Sequence, residues 1–258
     1  MHALIGDIGN TITKICLLEI NTFKVKKIIY FNSNNISSKN LLNNRLKKII
    51  KKKSINKVAL FSSVVPKYQF ILKKFLKKTY KIKLREIKEK AINKIVKINI
   101  KNKDQVGSDR IANSVGVYKK YKTNCIVLDF GTATTFDVVT KKGIYNGGII
   151  APGINLSIKN LASSADQIPN FHIKKQKKII GKNTLEALNS GFYWGYSGLI
   201  NSIISKIEKE TRKKYKIIFT GGYADLFKTS IIRRFTIDKN ITIEGIIEIF
   251  RKNKKYLY

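Results

Sequence analysis

Three short runs in this sequence join an acidic side chain to glycine and hydroxyl groups: Asp7-Ile-Gly9-Asn10-Thr11, Gly107-Ser-Asp109-Arg110, and Asp129-Phe-Gly131-Thr132-Ala-Thr134-Thr135. A carboxylate at a turn can hold a metal, while bare backbone N–H groups and hydroxyls can hold an anion. The Asp109–Arg110 pair sits where a helix is predicted to start. There Asp109 could orient or deprotonate an alcohol, and Arg110 could clamp a carboxylate or phosphate. A helix cap with a surface ion pair would leave the same dipeptide. A fourth run, Thr220-Gly221-Gly222, follows an apolar strand, and such a turn suits a nucleotide base or sugar lying over bare backbone.

Together these runs describe phosphoryl transfer, which needs metal-holding carboxylates, donors to phosphate and a group that activates the nucleophile. The expected ligands are ATP, Mg²⁺ and a small hydroxylated acceptor. The chain has no Walker Gly-x-x-x-x-Gly-Lys-Ser/Thr run and no protein-kinase His-Arg-Asp set. Its two histidines, His2 and His172, cannot make a multi-histidine metal site.

The elements that must position these groups follow from the pattern of apolar residues. The runs at 7–11 and 129–135 each lie between two apolar strands, a hairpin arrangement with glycine at the turn. Asp7 matches Asp129 and Gly9 matches Gly131. The hydroxyl match is looser, because Ala133 takes the place equivalent to Thr11 and Thr132 and Thr134 flank it. The two units stand about half the chain apart, so the sequence reads as a duplicated domain, 1–118 and 119–258, with an interdomain cleft. Two unrelated hairpins with acidic turns are the plainer reading.

Strands are predicted over 4–8, 13–19 and 24–30, then a helix over 41–50 capped by Ser38 or Asn40. A buried strand at 58–61 runs into Ser62-Ser63-Val64-Val65-Pro66, whose hydroxyls could line a cleft and whose proline can open a helix. A further strand is read over 81–85. Lysine-rich residues 88–104 are hard to assign, and most of them read as a solvated surface segment. Ser108 or Asp109 starts the next helix. Beyond the central hairpin, a helix over 156–162 and a loop over 163–180 lead to a long helix capped by Asn183 or Thr184. Thr184 could equally contact substrate. On that helix Gly191, Gly195 and Gly198 share a similar face, which calls for a close neighbour, another helix or a partner subunit. A strand over 216–220, a helix over 241–250 and a frayed basic tail over 251–258 complete the chain. Alternating strands and helices make an α/β protein.

Bulk properties narrow the classes. The 258 residues can bury a real core. No apolar run approaches the roughly 18 residues of a membrane span. The first residues pass straight into the first motif and do not read as a signal peptide. Cys16 and Cys125 fall in predicted core strands and read as buried small hydrophobes, which fits the cytoplasm. The formal charge of +36 would ordinarily point to nucleic acid. However, only seven of the 52 basic residues are Arg, and the Lys is spread along the chain. Enrichment of Lys, Asn, Ile, Phe and Tyr together is explained by A/T-rich codons. No dedicated nucleic-acid binding is expected.

The order of motifs resembles the type III pantothenate kinases of the acetate and sugar kinase, heat-shock and actin superfamily. It rests on D-I-G-N-T at 7–11, S-S-V-V-P at 62–66, G-S-D-R at 107–110, D-F-G-T-A-T-T at 129–135, G-G-I-I-A-P-G at 147–153, N-T at 183–184 with S-G-x-x-x-G at 190–195, and T-G-G at 220–222. The resemblance implies duplicated ribonuclease H-like (actin-like ATPase) domains. It also implies ATP-dependent phosphorylation of pantothenate to 4′-phosphopantothenate, the first step of coenzyme A synthesis. A homodimer needing Mg²⁺ and a monovalent cation, K⁺ or NH₄⁺, comes with it. Asp7, with Gly9, Asn10 and Thr11, would hold phosphates and Mg²⁺. Asp109 would activate the pantothenate hydroxyl, with Gly107, Arg110 and Thr184 binding pantothenate. Asp129 would hold the monovalent cation, Gly131, Thr132 and Thr134 would contact phosphate, and Gly221 and Gly222 would lie by the adenosine. One departure stands out: the family's Tyr-x-Asn-Pro before Gly-x-Asp-Arg is Ile100-Lys101-Asn102-Lys103 here. A different acceptor for the same fold, or a non-enzymatic regulator, are the alternatives. The first should alter the Gly-x-Asp-Arg helix and the second should lose Asp7, Asp109 or Asp129, yet all of these remain.

Overall fold

The computed structural model describes residues 1–50 and 54–257. The first part of the chain forms β1 (His2–Ile8), β2 (Ile12–Glu19), β3 (Lys24–Asn32), α1 (Lys39–Ile50), β4 (Val58–Ser63), α2 (Pro66–Tyr80), β5 (Lys83–Glu86), β6 (Lys97–Ile98) and α3 (Ser108–Tyr121). The rest forms β7 (Cys125–Phe130), β8 (Ala133–Val139), β9 (Ile144–Pro152), α4 (Ile154–Ser164), α5 (Thr184–Thr211), β10 (Lys216–Gly221), β11 (Phe235–Ile237), α6 (Ile241–Lys252) and α7 (Lys254–Leu257).

The chain divides into two compact units. The first holds Met1–Lys120, Gly143–Tyr145 and Asn240–Tyr258, and the second holds Tyr121–Lys142 and Asn146–Lys239. The units therefore differ from a simple division at 118/119, because the C-terminal helices pack with the first unit.

In the first unit the sheet order is β3-β2-β1-β4-β5, with β1–β2 and β2–β3 antiparallel and β4 and β5 parallel to β1. Alternation along β1 explains its layers. Ala3 and Ile5 join one core with Cys16, Leu18 and α6, while Leu4 and Ile8 join the other with Leu42, Leu46, Leu72 and Leu76. α3 and α6 approach closely, and a Cβ on Gly245 would overlap the Ala112 carbonyl. Pro66 opens α2 at its first turn, and Ser38 caps α1, its Oγ accepting from Leu41 N–H at 3.4 Å.

The second sheet has six strands; read from β9 its order is β9-β8-β7-β10-β11, the same as β3-β2-β1-β4-β5, and β6 is added as a sixth strand parallel to β9. The directions repeat too: β7 and β8 are antiparallel, while β10 and β11 run parallel to β7. Ile126, Leu128, Phe130 and Phe219 pack beneath Tyr193, Ile200 and Ile204 of α5. This is the duplication that the paired Asp-x-Gly runs predict.

Residues 88–104 mostly face solvent, as expected, but Ile92, Val96 and Ile98 are buried, the first two in the β1 core. One expectation fails. The tail is not frayed as far as residue 257. Leu257 is fully buried and its carbonyl accepts from the Asn56 amide, while Asn253 is clasped to Asn93. Lysine-dominated composition hides the apolar residues spaced between the charges, and these are what find the core. Both cysteines are buried and free, as expected, and burial pushes each thiol up to about 12.

Candidate active site

In the first unit the functional groups gather where β1 and β4 end and α3 begins. Asp7 lies in register opposite Ser62, and Ile8 opposite Ser63. Gly9, Asn10 and Thr11 form the tight link to β2, closed by Gly9 N–H donating to the Ile12 carbonyl at 3.2 Å. Ser33, buried, supports this turn from behind. Its Oγ donates to the Gly9 carbonyl at 2.7 Å and its N–H donates to the Thr11 carbonyl at 2.8 Å. Asn10 and Thr11 remain exposed. The Ser62 hydroxyl is buried without a hydrogen-bond partner. A bound polar ligand could satisfy such a group.

α3 is tied to the same place by Ser108. Its Oγ donates to the Ser63 carbonyl at 2.6 Å and accepts from Ser63 N–H at 3.2 Å. Asp109 and Arg110 follow directly and are partly buried. Burial pushes the Asp109 carboxyl above the usual range, opposed by the Arg110 backbone N–H, which donates to Oδ1 at 2.7 Å, and by the Arg110 charge. The Arg110 guanidinium lies over the Tyr145 ring, 5.8 Å from its centroid. A carboxylate held dry and easily protonated, beside a fixed cation, suits removal of a hydroxyl proton next to an anionic substrate. The tie therefore favours the acid/base reading of Asp109 over a surface ion pair.

Two neighbours were missed in the sequence. Glu86 ends β5, 8% exposed, and burial pushes its carboxyl up against the opposing pull of the Lys88 backbone N–H and nearby Ser108. Lys88 Nζ donates to the carbonyls of Asp104 and Val106 at 2.7 and 2.9 Å, pinning the segment that enters Gly107. That segment follows Ile100–Lys103, where the family's Tyr and Pro are absent. A lone Glu and Lys in a basic run carry no pattern that would have singled them out.

In the second unit Asp129 lies opposite Thr220 of β10, as Asp7 lies opposite Ser62. Gly131, Thr132, Gly221 and Gly222 collect around it. Gly131 N–H donates to the Ala133 carbonyl at 3.1 Å, and Gly222 N–H donates to the Phe130 carbonyl at 3.0 Å. Gly221 adopts φ +86°, and a Cβ there would stand 2.6 Å from Phe130 N and O and 2.7 Å from Asp129 Oδ1. Gly153 abuts the Thr132 carbonyl so closely that no side chain fits. Gly131 and Thr132 are exposed, whereas the Thr134 hydroxyl is buried without a hydrogen-bond partner. Thr184, by contrast, is exposed at the start of α5. Asn183, not Thr184, caps that helix: its Oδ1 accepts from Glu186 N–H at 2.9 Å and its amide donates back to the Glu186 carboxylate at 3.0 Å.

The donors fit the cations expected of such sites. Asp7 and Asp129 offer hard carboxylate oxygens beside backbone turns. Among the described residues no three His, Cys, Asp or Glu side chains converge. Mg²⁺ would therefore lean on Asp7 together with phosphate and water, its usual manner in phosphotransferases.

Two sheets of one topology, each carrying an Asp-x-Gly hairpin at the end of its first strand, define an actin-like ATPase fold. The activator of the 2-hydroxyisocaproyl-CoA dehydratase from Clostridium difficile, solved with bound ADPNP, shares this fold. Its TM-score is 0.58 at 10% identity, covering 99% of this chain and 97% of that one. Within the fold, the model of the type III pantothenate kinase family matches residues 3–206. The type III pantothenate kinase of Pelagibacter ubique is 48% identical over 244 residues, spanning 95% of this chain and 96% of that protein. That of Paramagnetospirillum magneticum is 38% identical over 195 residues, spanning 76% and 75%. The chain belongs to the type III pantothenate kinase family. Of the predicted site residues, all but Gly221 and Gly222 lie inside the matched stretch.

Proposed function

We infer that this protein transfers the γ-phosphoryl group of ATP to the 4′-hydroxyl of pantothenate, the first step of coenzyme A synthesis. The observation that carries the mechanism is the partly buried Asp109 at the start of α3, its pKa raised and its helix anchored to Ser63. Asp109 accepts the hydroxyl proton as the oxygen attacks phosphorus. The new O–P bond forms, the bond from phosphorus to the β-phosphate oxygen breaks, and ADP leaves. Arg110 and Gly107 bind pantothenate, and Thr184 contacts it.

Asp7, Gly9, Asn10 and Thr11 hold phosphates at the first hairpin, and Gly131, Thr132 and Thr134 do so at the second. The buried, unsatisfied Thr134 hydroxyl supports that assignment. Gly221 and Gly222 accept the adenosine over bare backbone. Asp7 would hold Mg²⁺ and Asp129 a monovalent cation, K⁺ or NH₄⁺, which would supply positive charge to offset the negative charge on the phosphates. The duplicated domains of this reading divide near 118/119, with α6 and α7 returning to pack with the first.

The reading includes a cytoplasmic homodimer. Gly191, Gly195 and Gly198 of α5 meet nothing within 4 Å where a Cβ would stand, so no described part of this chain supplies the expected close neighbour. A second copy could. Among the described residues no helix is long and apolar enough to cross a membrane.

The test is ATP-dependent phosphorylation of pantothenate by the purified protein with Mg²⁺, K⁺ being added or withheld. K⁺-dependent 4′-phosphopantothenate is the expected product. Transfer only to another acceptor would overturn the substrate, and no transfer to any acceptor would overturn the enzyme.

A further inference from the structure

An open cavity of about 500 Å³ lies in the first unit, where β4 and β5 end and α3 begins. Its wall includes Ser63, Gln69, Glu86, Gln105, Gly107 and Ser108. Ligands of open α/β sheets bind at such strand ends, and this volume suits a small molecule. Gly107 and Ser108 of the wall lead in the chain into Asp109, the next residue of α3. Val64, Pro66 and Val106 add apolar surface to the wall, Lys88 and Glu89 add charge, and Glu86 is its buried carboxyl.

Glu86 is only half satisfied. One carboxylate oxygen, Oε2, accepts from Lys88 N–H at 2.6 Å. The other, Oε1, is buried and has no hydrogen-bond partner. Ser108 is near enough to influence it, but the Ser108 proton is committed to the Ser63 carbonyl. A buried acceptor left open is costly unless something donates to it. Pantothenate brings two suitable donors besides its reacting hydroxyl: an amide N–H and a secondary 2′-hydroxyl.

We propose that Glu86 is a specificity-determining residue, its Oε1 accepting a hydrogen bond from the amide N–H or the 2′-hydroxyl of pantothenate seated in this cavity. The inference rests on the proposed function and adds how the acceptor is read. A site built to pair with a substrate donor rejects an analogue lacking it, because its own buried group is left unpaired.

The experiment compares pantothenate with its N-methylamide and 2′-deoxy analogues as substrates of the wild-type protein, Glu86→Gln and Glu86→Ala. For wild type, one analogue should show kcat/KM lowered by about ten- to hundredfold. In Glu86→Ala that discrimination should collapse to within about threefold, through a raised KM for pantothenate with KM for ATP unchanged. Glu86→Gln keeps the shape, and with its amide oxygen turned to the Lys88 N–H it presents an NH₂ donor where Oε1 accepted, so it serves the same purpose if the alanine variant does not fold. Equal discrimination in wild type and variant, or none in wild type, overturns the role of Glu86 while leaving the kinase intact. Failure of wild type to phosphorylate pantothenate overturns the proposed function itself and this inference with it.

Discussion

Ser108 and Ser63 are joined by a reciprocal pair of hydrogen bonds, Oγ–H to carbonyl at 2.6 Å and backbone N–H to Oγ at 3.2 Å. Through them the end of a core strand sets the first turn of α3, and with it Asp109 and Arg110. Ser108→Ala removes both bonds and leaves buried backbone groups unpaired. It should cost about 1–3 kcal/mol of stability and lower kcat more than it raises KM for ATP. Thermal unfolding and steady-state kinetics check this, and an unchanged kcat would remove the anchoring role.

Asp109→Asn should reduce turnover by at least about a hundredfold while sparing ATP binding. The wild-type rate should also report the carboxyl's environment. Asp109 must be ionised to accept a proton, and burial raises its pKa, so kcat should fall on the acid side at a pH above the usual carboxylate range. The same sign governs its effect on folding: the folded state binds this proton more tightly, so its contribution is full at low pH and is lost as pH rises through the raised value. Near-wild-type turnover of Asp109→Asn would refute the assignment.

Gly221→Ala meets two obstacles, a positive φ and a Cβ 2.6 Å from the Phe130 backbone. The strained backbone alone should cost about 1–3 kcal/mol, and relief by shifting β10 away from β7 would disturb the turn assigned to adenosine. Weaker ATP binding by calorimetry, with a lowered unfolding temperature, is the expected pair of results.

Asp129→Ala should chiefly raise the K⁺ concentration needed for activity. Titrating K⁺ at saturating ATP and pantothenate separates this from a loss of folding. Identical K⁺ dependence in the variant would contradict a cation role for Asp129.

Asn253 is fully buried and holds residue 93: Asn93 N–H donates to Oδ1 at 2.7 Å, and Nδ2 donates to the Asn93 carbonyl at 3.1 Å. Asn253→Ala strips both partners from the Asn93 backbone and should destabilise by about 1–3 kcal/mol. Denaturant unfolding measures it; a change under about 0.5 kcal/mol would place that clasp among neutral surface contacts.

Much of the site was legible in the residues because its chemistry is local. An Asp-x-Gly run between apolar strands can form its turn from its own backbone. A hydroxyl or Asn before a helix likewise satisfies the orphan N–H groups of that helix alone, as Ser38 and Asn183 do. The repeat of Asp7-x-Gly9 as Asp129-x-Gly131 was enough to imply two sheets of one topology. Those are properties of a few consecutive residues and need nothing from the rest of the chain. Which distant residues complete each turn depends on how the chain folds. Ser62 and Thr220 stand opposite Asp7 and Asp129 through parallel strand register, which no local pattern encodes. The fold also makes Ile92, Val96 and Leu257 core and packs α6 with the first unit. Burial is a property of what the rest of the chain brings to a residue, and a lysine-rich neighbourhood conceals it until the chain has folded.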